Sequence, residues 1–143
     1  MKTSERVLVI TILACAIATS PAQAQVVVVA NPNSGGCRIG VNTRDANAEA
    51  WSKAGSARDG WYTVLASGRR GYGAVFGAKN PRDGKTNFFA AYGYSTSGEA
   101  ISAAREKAVR WVRQLGVFST AFICENWNNR GEYALDTGTQ DAH

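Results

Sequence analysis

The residue types that carry most enzyme chemistry are scarce in this chain of 143 residues. It holds one histidine, His143, which is the last residue, and three cysteines, Cys15, Cys37 and Cys124. A serine or cysteine nucleophile is normally activated by a neighbouring histidine or a lysine of lowered pKa, and no internal histidine exists to do this. A structural or catalytic metal needs three or four well-spaced ligands, and two thiols without histidine do not supply them. The sequence therefore implies neither a metal nor any other cofactor. Gly84-Lys85-Thr86 ends like a phosphate-binding loop, but Lys79 stands where that motif needs its first glycine. The residues that follow read as a strand instead of a helix.

Two constellations survive. Glu125 and Glu132 flank the asparagine-rich segment Asn126-Trp127-Asn128-Asn129-Arg130-Gly131, read by composition as a turn. Two carboxylates facing each other can hydrolyse a glycosidic bond, one as acid and the other as base or nucleophile, and Trp127 would stack on a sugar ring. The same turn also suits binding without catalysis. Tryptophan and arginine are favoured anchors of protein interfaces, which makes Trp127, Asn128, Asn129 and Arg130 candidate binding residues. Basic groups form the second constellation. Arg69-Arg70 lie between glycines, Lys79, Arg82 and Lys85 surround one turn, and Arg105, Lys107, Arg110 and Arg113 recur on a helical segment. The formal net charge of +5 is mild for a nucleic-acid binder. The absence of a recognised nucleic-acid motif points the same way. Anionic wall polymer, or a protein of the cell envelope or the extracellular space, is the partner these charges favour.

The start of the chain sets the compartment. Basic Lys2 and Arg6 precede an apolar run over Val7–Ala18, followed by Pro21 and the small-x-small ending Ala22-Gln23-Ala24. This is the pattern of a cleaved signal peptide over residues 1–24. The run is too short for the about 20 residues of a spanning helix. Cys15 lies in a loose lipoprotein-like box, the competing reading, but the apolar run continues past it to the better cut site. The expected mature protein begins at Gln25, has no membrane span, and is periplasmic or secreted. In an oxidising compartment its two cysteines, Cys37 and Cys124, read as one disulfide.

Residues 25–70 read as an irregular segment with a possible strand over Val26–Val29, a turn at Asn31–Gly36, and a short helix capped by Asp45 and running to about Ala57. A further strand is expected at Trp61–Leu65. Residues 71–137 are patterned more strongly. Tyr72, Ala74, Phe76 and Ala78 alternate with Gly73, Val75 and Gly77, as in a half-buried strand. Asn80–Lys85 is a turn, and Thr86–Tyr94 forms a second strand. Thr96-Ser97-Gly98-Glu99 is a capping box opening a helix to Leu115. Along it Ile101, Ala104, Ala108, Trp111, Val112 and Leu115 share a face, and Gly116 is its stop. Strands are expected at Val117–Cys124 and Glu132–Thr137, then a frayed tail over 138–143. The expected fold is α+β: one antiparallel four- to five-stranded sheet with one long amphipathic helix on one face.

Tyr72-Gly73-Ala74-Val75, Ala91-Tyr92-Gly93-Tyr94-Ser95, the alanine-rich helix and Tyr133-Ala134-Leu135 together resemble a group of small exported bacterial domains. The group is known only as domain of unknown function 4189, and the resemblance covers about residues 71–136. It departs from the family pattern in having no cysteine in the helix, and Gly131 near the place of the family's hairpin cysteine. The resemblance implies a small secreted α+β domain and no particular chemistry. Export, size and the missing catalytic set together suggest a non-catalytic binding module, inhibitor-like or immunity-like. A wall-active hydrolase using Glu125 and Glu132, and an electrostatic binder of wall polymer or nucleic acid, are the alternatives.

Overall fold

The computed structural model describes residues 25–55 and 59–130. The chain order is β1 (Val26–Asn31), β2 (Gly36–Val41), α1 (Ala46–Ala54), β3 (Tyr62–Ser67), β4 (Gly71–Asn80), β5 (Lys85–Tyr94), α2 (Ser97–Leu115) and β6 (Phe122–Asn129). The class is α+β, but the strands do not form one sheet. They make two antiparallel three-stranded sheets, ordered β2-β1-β3 and β5-β4-β6, with a helix on the outer side of each.

The reason lies in β1. All four valines, Val26 to Val29, are completely buried. Successive side chains of a strand point to opposite faces, so a continuous apolar run demands cover on both sides. Val27 and Val29 pack against Ala46 and Ala50 of α1, while Val26 and Val28, beside Leu65 of their own sheet, meet the second sheet through Val75 and Trp127. β4 is central in its own sheet and is likewise covered twice, not half-buried as its alternation suggests. Its Ala74, Phe76 and Ala78 lie under α2, and Val75 faces the first sheet. A single sheet with one helix would leave the second face of β1 in water. The result is four layers: α1, sheet, sheet, α2.

The described residues of the segment 25–70 thus hold three strands and a helix. The strand missing from the sequence reading is β2, whose Cys37, Ile39 and Val41 alternate with Arg38 and Gly40. Asp45 caps α1 as expected, its carboxylate accepting from Ala48 N at 2.9 Å, but the helix ends at Ala54 before Gly55. A Cβ on Gly40 would fall on the Ala46 carbonyl, so glycine there permits the close approach of α1 to β2.

α2 spans Ser97–Leu115, with Thr96 Oγ1 accepting from Glu99 N at 3.2 Å and Gly116 left-handed at its end. Ala100, Ala104 and Ala108 form its buried stripe, flanked by Ile101, Trp111 and Val112. Small side chains bring the helix close to β4 and β5. After Gly116 the chain must cross from the helix layer back to the sheet, so β6 starts only at Phe122, later than the Val117 expected. It then continues to Asn129, through the segment read as a turn. The strand expected at Glu132–Thr137, the frayed tail and the signal peptide lie outside the described residues. Among the described residues no helix is long and apolar enough to cross a membrane.

The Cys37–Cys124 disulfide ties β2 to β6, the edge strands lying on the same side of the two sheets, across a separation of 87 residues. In the chain-entropy treatment such a closure contributes roughly 4–5 kcal/mol, mainly by restricting the unfolded chain.

Candidate functional site

The expected binding turn is a strand because its side chains alternate. Trp127 and Asn129 are buried, whereas Asn126 and Asn128 are more exposed. β6 pairs with β4 along Gly71↔Asn129, Gly73↔Trp127 and Val75↔Glu125. Trp127 is only 4% exposed and fills the space between the sheets. Its ring lies directly over Gly73, where any Cβ would overlap the indole. Trp127 is therefore a core residue and cannot serve as an exposed anchor.

Asn129 is structural too. Asn129 Nδ2 donates to the Arg69 carbonyl at 2.9 Å. Asn42, a residue sequence reasoning passed over, closes the end of β6 like a one-residue strand. Its Nδ2 donates to Asn128 O at 2.9 Å, and its Oδ1 accepts from Arg130 N at 3.1 Å. Asn42 has φ +58°, a conformation asparagine tolerates better than most residues. That tolerance was its only advance signal.

Arg69 and Arg70 are exposed and converge on the same end of the molecule as Arg130. Arg70 donates from Nε and Nη2 to the Arg130 carbonyl at 3.2 and 2.8 Å. The two candidate groups, distant in sequence, are thus brought together through backbone contacts.

Glu125 is aimed between the sheets by a bulge in β6, where the register shifts between Val75 and Phe76. Burial pushes its carboxyl above the ordinary value, while the charges of Lys53 and Arg38 pull it back in part. Both cations are held in place. Lys53 Nζ donates to Ile39 O at 2.9 Å and pairs with Glu49 at 3.3 Å. Arg38 donates to Cys37 O at 2.8 Å and lies over the Trp61 ring. Glu132, the second carboxylate of the hydrolase reading, lies outside the described residues. Among the described residues no group of three His, Cys, Asp or Glu could hold a metal ion.

Comparison with family models, curated proteins and solved structures finds no match to this chain.

The helix cations are largely engaged. Arg105 lies over the Phe76 ring, Lys107 donates to Ala90 O at 2.6 Å, and Arg110 pairs with Glu106 at 3.1 Å. A groove of about 280 Å³ beside Arg105, Arg110 and Arg113 is lined by this stripe of α2.

The feature that sequence reasoning missed lies at the other end of β4. Phe118, between α2 and β6, is 101% exposed. Its loop is braced on both sides. Arg82 Nη2 donates to Leu115 O at 3.1 Å, and Ser119 Oγ donates to Lys79 O at 2.6 Å. Gly116 N adds bonds to Val112 O and Arg113 O at 3.1 Å each. In the sequence Phe118 falls within the strand expected at Val117–Cys124 and shares a side with Phe122 and Cys124.

Proposed function

We propose that the protein is a small exported, non-catalytic binding module that captures a protein of the cell envelope in an inhibitor-like or immunity-like manner. The observation that carries this reading is Phe118, a wholly exposed aromatic on a loop tied down at Leu115 and Ser119. Fixing an anchor before binding lowers the ordering cost of association, and buried aromatics are the usual hot spots of interfaces. Lys79, Arg82 and Lys85 are exposed beside the loop, so the partner pocket is apolar and rimmed by carboxylates. The disulfide supports an oxidising compartment, periplasmic or extracellular.

The test is capture from envelope and medium fractions with the mature protein and its Phe118→Ala and Phe118→Asp variants. Because Phe118 is fully exposed, both variants should keep the wild-type unfolding midpoint. A stoichiometric partner retained by the wild type should be lost by both. The same partner recovered equally with Phe118→Asp would remove the loop from the interface.

The raised pKa of Glu125 favours the second reading, a wall-active hydrolase in which it is the proton donor. Release of soluble fragments from peptidoglycan, abolished by Glu125→Gln, would establish that reading; no release between acid and neutral pH would end it.

A further inference from the structure

Arg69 and Arg70 sit just before β4, at the end remote from Phe118. The ten residues of β4 put about 33 Å between these two ends. The two side chains part company across the strand. Arg69 lies against β5 at Gly93, where a Cβ would fall on its Nε. Arg70 crosses to β6 and hydrogen-bonds the Arg130 carbonyl. Since β5 and β6 flank β4 and neighbouring strands lie about 4.8 Å apart, the two guanidiniums are held on the order of 10 Å apart.

The backbone beneath them is pinned. Arg69 N donates to Ser67 Oγ, and Arg69 O accepts from Asn129 Nδ2, each at 2.9 Å. Both arginines are exposed, and among the described residues neither has a carboxylate within ion-pair distance. Arg70 spends Nε and Nη2 on a neutral carbonyl, which orients the planar fork and keeps Nη1 for a ligand. Guanidinium suits phosphate oxygens through its fixed donor geometry. A single phosphate reaches only one of the two groups, whereas an extended phosphodiester chain presents charges to both.

We propose that this end is a two-point seat for a linear phosphodiester polymer of the cell envelope, of the poly(glycerol phosphate) kind. The seat is independent of the Phe118 loop, so either can fail without the other.

Binding of short poly(glycerol phosphate) by the disulfide-bonded mature protein is measured by calorimetry across a salt series. Arg69→Gln with Arg70→Gln should weaken binding roughly tenfold or more and lower the log–log salt slope by about 2, one for each phosphate contact. The charge-conserving pair Arg69→Lys with Arg70→Lys should also weaken it severalfold, because an ammonium cannot hold the Arg130 carbonyl and the ligand in one plane. Lys79→Gln with Arg82→Gln, at the opposite end, should leave it unchanged. Equal losses from the two ends, or full binding by the lysine pair, would reduce the effect to diffuse charge and overturn the seat. Tighter binding of a single-stranded oligonucleotide of equal charge would overturn the choice of polymer.

Discussion

Replacing Trp127 with alanine removes the largest side chain from the space between the two sheets. The indole contacts a cluster containing Val26, Val28, Cys37, Ile39, Val41, Leu65 and Val75, and almost none of it reaches solvent. Truncating a buried tryptophan costs about 3–5 kcal/mol, the sum of lost transfer energy and the cavity left behind. With a urea dependence of about 1–3 kcal/mol per molar, the midpoint should fall by about 2 M. The same geometry makes a second, sharper forecast. A Cβ at Gly73 would overlap the ring, so Gly73→Ala alone should cost about 1–3 kcal/mol through overpacking. In the Trp127→Ala background the added methyl enters empty space and should cost little or even help. The double-mutant cycle should therefore show favourable coupling of about 1 kcal/mol or more. Equilibrium urea unfolding of the oxidised protein, followed by far-ultraviolet circular dichroism, provides all four corners. A loss below about 1 kcal/mol for Trp127→Ala, or additive costs, would return Trp127 to the surface as a binding residue and refute its core role.

Cys37→Ala with Cys124→Ala should lower stability by roughly 4–5 kcal/mol if restriction of the unfolded chain dominates; urea unfolding of this variant checks it, and a loss under about 1 kcal/mol would deny the disulfide a structural role. Glu125 should make stability fall as pH rises. Its folded-state pKa is raised, so the native state holds the proton after the unfolded chain has released it. The contribution is present in acid and is lost from about pH 4.5 upward through the raised value. Urea midpoints over that window should decline less for Glu125→Gln than for the wild type, and identical slopes would show that Glu125 is not desolvated.

Local signals in the chain proved readable where the physics is local. The Thr96 cap, the Gly116 stop and the apolar spacing between them bound α2 without reference to any other element. Turn chemistry at Asn31–Gly36 and Asn80–Lys85 likewise marks its hairpins. The pairing of Cys37 with Cys124 follows from there being two cysteines in the expected mature chain. Composition misled at Asn126–Arg130. Asparagine favours turns because its amide competes for backbone partners, and here those partners are supplied from afar, by Arg69, Asn42 and the β4 ladder.

Local sequence signals therefore sufficed for α2 and the β4–β5 hairpin before it, the α+β class and the poverty of catalytic groups. Tertiary structure alone decided that the strands divide into two facing sheets, because double burial of β1 and β4 depends on which faces meet. It also decided which candidates reach solvent. Gly73 makes room for Trp127 to turn inward, while the crossing from α2 to β6 leaves Phe118 outside. A strand's period says which residues share a face; only the packing of the other layers says which face is wet.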